Sequence, residues 1–105
     1  MPAPQLVPFD EHAWGEESEG VRARVAEVDG ARWAIVEYAP GAGRLEWCDV
    51  GHRGYVASGE IAYELASGGT LVARAGQGFL LTPDDAHRGR NRGSVPALLL
   101  VIDDV

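Results

Sequence analysis

Glu46, Cys48 and His52 stand within seven residues of one another in the stretch EWCDVGHRG. A carboxylate, a thiol and an imidazole are donor types that together suit a transition-metal ion. The same side chains allow a second chemistry. His52 is near enough in sequence to take the proton of Cys48 and leave a thiolate nucleophile, although no local signature of a known thiol enzyme surrounds Cys48. A third reading is purely structural, with Cys48 as a small buried hydrophobe and Glu46 paired with an arginine such as Arg44 or Arg90. On a strand, Glu46 and Cys48 leave the same face and Trp47 the other, so Trp47 is expected to pack away from any metal.

The elements that must hold these residues are short and extended. Val21 to Val28 alternates apolar and polar residues, and Asp29-Gly30 is a hairpin turn signal because both residues tolerate positive φ. Arg32 to Ala39 returns as its partner. Further strands are expected over Arg44 to Cys48, Tyr55 to Ala57, Ile61 to Ala66, Thr70 to Ala75, Phe79 to Thr82, Ala86 to Asn91 and Ala97 to Ile102, separated by glycine- and proline-bearing turns. The last is apolar on both faces, which requires cover on both sides, from within the chain or from a second copy. No stretch carries a helical stripe. About nine short strands in 105 residues make an all-β sandwich or barrel. Residues 1–20, with prolines at 2, 4 and 8 and an acidic run, read as an extended or partly mobile arm before a barrel over 21–105.

Composition narrows the partners. Apolar residues form 46% and charged residues 24% of the chain, ordinary values for one globular domain. A net charge of −7 opposes non-specific attraction to nucleic acid or to an anionic membrane. One cysteine rules out an internal disulfide and fits a reducing compartment. With no leader and no membrane-length apolar run, the expectation is a soluble cytoplasmic protein.

These residues resemble the cupin superfamily, a small double-stranded β-helix or jelly-roll barrel. The string Tyr55-Val56-Ala57-Ser58-Gly59-Glu60 is similar to the close of the family's first motif, with Gly59 as its final glycine. Six residues separate His52 from Gly59, which puts His52 at the position of the motif's glutamate. Cys48 then falls on the second histidine of that motif and Glu46 on the first. In the second motif, His87 and Asn91 keep the histidine-to-asparagine spacing, and Gly76 lies eleven positions before His87. Thr82 occupies the proline position and Asp84 replaces a glycine.

The resemblance implies a mononuclear metal centre inside the barrel, with Glu46, Cys48, His52 and His87 as ligands. An O, S, N, N set of this kind selects zinc or iron ahead of manganese or nickel, and all of these over magnesium or calcium. It also implies a small-molecule ligand, a homodimer, and oxygenase, isomerase or lyase chemistry if there is turnover. The alternative is a non-catalytic ligand-binding or sensory cupin without metal. Arg88, Arg90 and Arg92 alternate onto the strand face opposite His87 and Asn91, as an anion-binding stripe or, more simply, as a solvated outer face. Asn91 is expected to orient His87 or its loop rather than to act in chemistry.

Overall fold

Alternation of apolar and polar residues drives this chain into nine strands: β1 (Gly15–Ser18), β2 (Val21–Val28), β3 (Ala31–Tyr38), β4 (His52–Ser58), β5 (Glu60–Leu65), β6 (Thr70–Arg74), β7 (Gly78–Leu81), β8 (His87–Arg90) and β9 (Ala97–Asp104). They are taken from a computed structural model that describes residues 3–104. Met1, Pro2 and Val105, assigned above to the arm and the barrel, lie outside the described residues. A single 3-10 turn, Phe9–Glu11, precedes β1. Among the described residues no helix is long and apolar enough to cross a membrane.

All the pairings are antiparallel. A six-stranded sheet has the order β1-β2-β3-β9-β4-β7, and a three-stranded sheet has the order β6-β5-β8. Strands distant in sequence lie side by side, as in a jelly roll. The two sheets enclose one core, with Val21, Val36, Tyr38, Val56, Phe79 and Leu99 from the larger sheet meeting Ile61, Tyr63 and Ala73 from the smaller. At roughly 25 cal/mol per Å² of apolar surface removed from water, this burial is what drives the sheets together.

Turn chemistry fixes the register. Asp29 and Gly30 have φ of +52° and +77°, which closes the β2–β3 hairpin so that Val21 faces Tyr38 and Val28 faces Ala31. Gly59 turns β4 into β5 with φ of +76°. A Cβ there would lie 2.8 Å from Ala97 Cα and also strike the Pro96 carbonyl, so the position admits only glycine.

The central β9 pairs with β3 on one side and β4 on the other. Ala97, Leu99, Val101 and Asp103 are buried, whereas Leu98, Leu100 and Ile102 on the opposite face are only partly covered.

Two segments depart from the sequence reading. Part of the arm forms β1, an edge strand on β2, and the Arg22 and Arg24 guanidiniums lie 4.2 and 4.8 Å from the Trp14 ring centroid. These cation–π contacts hold the arm against the barrel. Residues 44–48 do not make a continuous strand. Only isolated bridges form there, Gly43 with Arg90 and Cys48 with His87, because Pro40 to Gly43 breaks the extended run and the chain must then cross from one sheet to the other.

Candidate functional site

Three segments bring Cys48, His52 and His87 together. His52 opens β4 and sits across from Leu81 of β7, in phase with the inward-facing Gly54 and Val56. His87 opens β8 in the smaller sheet and is 2% exposed. Cys48 lies in the connection between β3 and β4. Its backbone is clamped to His87 by two hydrogen bonds, Cys48 N–H to the His87 carbonyl at 2.8 Å and His87 N–H to the Cys48 carbonyl at 2.9 Å. Residues paired in this way project to the same side of a ladder, so thiol and imidazole face one another. One donor atom from each of the three residues lies within 4.8 Å of the other two.

Hydrogen bonds set the ring orientations. The His52 Nε2 atom is 3.5 Å from Cys48 Sγ, and its Nδ1 is 2.7 Å from Asp103 Oδ1. The Nδ1 of His87 is 3.4 Å from the Asp85 carbonyl oxygen. A carbonyl can only accept, so this contact places the proton on Nδ1 and leaves Nε2 with a free lone pair. That Nε2 is buried and has no partner. Burial, the largest influence, holds the His87 imidazole below the usual histidine range, which keeps it neutral and able to bind a cation.

Glu46 stands apart. It is exposed and lies outside the three-residue group. The strand alternation that would have aligned it with Cys48 is missing where the chain forms only single bridges. Asp103, which sequence reasoning missed, takes a different part by orienting His52. Its signal was present: Asp103 continues the period-two phase of Ala97, Leu99 and Val101, which points it inward.

The group opens onto a cavity of about 960 Å³. Val36, Tyr38, Tyr63, Leu99 and Val101 supply apolar lining, and Arg44, Glu46, Trp47 and Arg88 also contribute. Trp47 therefore reaches the cavity rather than facing away, with the Arg88 guanidinium 4.3 Å from its ring centroid. Arg88 pairs with Glu64 at 3.0 Å, and Arg90 Nη1 donates to the Gly41 carbonyl at 2.8 Å. Asn91 is fully buried. It donates to the Tyr38 and Val95 carbonyls at 3.1 and 2.7 Å and accepts from Gly93 N–H at 2.9 Å, so it holds its loop.

The donors fit a divalent ion. A thiolate with two neutral imidazoles is a three-ligand set of the kind that leaves a fourth position for water or substrate. The Asp103 carboxylate behind His52 is the outer partner that such histidines commonly have. The same geometry also aligns a thiol, a base and an orienting carboxylate, as in nucleophilic catalysis. That use, however, gives no role to the lone pair of His87.

Residues 34–103 match the family described as Cupin domain. Among curated proteins no sequence matches this chain. Among solved structures, KdgF from Halomonas sp. is similar at a TM-score of 0.75 and 17% identity, over 98% of this chain and 96% of that one. An RmlC-like cupin from Shewanella frigidimarina aligns at 0.76 and 15% identity, over 97% and 91%. A sugar phosphate isomerase of the cupin superfamily from Silicibacter pomeroyi aligns at 0.72 and 18% identity, over 94% and 74%. At these identities the likeness is one of fold. The family match spans two thirds of the sequence and both halves of the barrel, and the chain belongs to the cupin-domain family.

Proposed function

We propose that this protein is a small cupin that holds one divalent metal ion on Cys48, His52 and His87 and binds a small molecule in the adjoining cavity. The observation that carries this reading is the buried, unpartnered Nε2 of His87 in a group whose donors lie within 4.8 Å of one another. A buried polar atom without a partner costs roughly 1–3 kcal/mol, and an ion bound there removes that cost. Sulfur and imidazole donors favour zinc or iron over manganese or nickel. When bound, such an ion acts as a Lewis acid toward a ligand at its open position.

The chain's own residues prepare the site. Asp103 fixes the ring of His52, the Asp85 carbonyl fixes the tautomer of His87, and Val36, Tyr63, Leu99 and Val101 give the ligand an apolar wall. The cavity serves a catalyst of oxygenase, isomerase or lyase type and a ligand-binding or sensory domain alike.

Metal analysis of protein purified without added metal tests the reading. Near-stoichiometric zinc or iron that disappears in His87→Ala is expected. Metal absent even after reconstitution would leave a metal-free binding cupin, and a thiol far more reactive to alkylation than in His52→Ala would favour the nucleophile.

We also propose a homodimer through the outer face of the six-stranded sheet. Trp33, Ile35, Leu98, Leu100 and Ile102 lie there only partly covered, and Tyr55 and Leu80 are 45% and 70% exposed. An apolar surface of this extent suits an interface.

A further inference from the structure

Glu17 occupies an unusual position at the edge of the barrel. β1 pairs regularly with β2 at Gly15–Ala23 and Glu16–Arg22, but the register then slips so that Ser18 faces Val21. Glu17 is left without a partner on β2, and irregularities of this kind re-aim a side chain. Here the side chain turns to the cavity, where its two oxygens divide between two guanidiniums. Oε2 accepts from Arg32 Nη2 at 3.2 Å and Oε1 from Arg44 Nη2 at 2.6 Å. Arg44 is further fixed by its Nε, which donates to the hydroxyl of the buried Tyr38 at 3.1 Å. All three charged residues line the cavity that contains Cys48, His52 and His87.

We infer that the cavity's ligand is a small organic carboxylate whose acid group exchanges for the Glu17 carboxylate on Arg32 and Arg44. This rests on the cavity being a ligand site. Two guanidiniums from separate segments, converging on one carboxylate, with Arg44 pre-oriented by the Tyr38 phenol, form a carboxylate receptor whether the acid is internal or external. β1 is four residues long and pairs only with β2 at the edge of the larger sheet, so it can shift without unpairing any other strand. Glu16, Glu46 and Asp49 also line the cavity and form no ion pair among the described residues. Their negative charge disfavours a dianion such as phosphate and leaves a singly charged acid as the better occupant.

Binding of pyruvate to the 105-residue protein as purified, followed by the backbone amide resonances of Glu17, Arg32 and Arg44, tests the inference. Methyl pyruvate serves as the uncharged control and inorganic phosphate as the rival anion. Pyruvate is expected to bind the wild type weakly and Glu17→Gln about tenfold more tightly, a gain of about 1.4 kcal/mol, with loss of binding in Arg44→Gln. Equal binding of methyl pyruvate, stronger binding of phosphate, or no gain in Glu17→Gln would overturn it. Metal content read on the same samples keeps the two proposals apart, since loss of metal with pyruvate binding intact counts against the metal centre alone.

Discussion

The imidazole of His52 and the carboxylate of Asp103 lie 2.7 Å apart although they stand 51 positions apart in the chain. The contact links the first residue of β4 to the penultimate residue of β9, neighbours in the larger sheet. Asp103→Asn keeps the shape but removes the charge that fixes the His52 ring. Metal affinity is expected to fall about 10- to 100-fold, measured by competition with a chromophoric chelator. Unchanged affinity would show that the carboxylate has no part in the site.

His87 gives the fold a pH dependence. Its folded pKa is lowered, mainly by burial, so below the ordinary value of 6.5 the unfolded chain takes up a proton that the folded one refuses. Stability is full above that value and declines as the pH falls below it. Thermal unfolding of chelator-treated protein at about pH 7.5 and about pH 5.5 should show a lower midpoint in acid, with a smaller drop in His87→Asn. An equal drop in both would assign the effect to other groups.

Asn91 satisfies both of its amide donors and accepts one bond on its oxygen. Asn91→Asp turns the donor end into an acceptor facing two carbonyls. A loss on the order of 2 kcal/mol is expected in denaturant unfolding, without loss of metal from the fraction that stays folded.

The exposed face of the larger sheet predicts association. Leu80→Asp, at a side chain that is 70% exposed, should shift sedimentation from dimer to monomer while leaving metal content unchanged. A wild type that sediments as a monomer would remove the interface.

Much of the barrel was legible because local chemistry and fold agree. Asp29-Gly30 and Gly59 announce their turns by residue type, and the alternation in Val21 to Val28 announces its buried face. Cys48, His52 and His87 were brought forward by the cupin resemblance, and the fold brings them together. Glu46 could not be placed by the same reasoning, since it depended on a strand that does not form. Asp103 and Glu17 escaped for another reason: one acts across the sheet from a distant segment, and the other owes its direction to a slipped register. The phase of β9 announces that Asp103 points inward, but not that it meets His52, and the slipped register behind Glu17 leaves no local trace in the sequence.

The reciprocal backbone clamp between Cys48 and His87 has a thermodynamic consequence. The backbone alone already opposes sulfur and nitrogen, so an ion taken up there need not first order a wandering loop. Uptake should therefore carry little conformational penalty, and stripping the ion should leave the protein folded and ready to be reloaded.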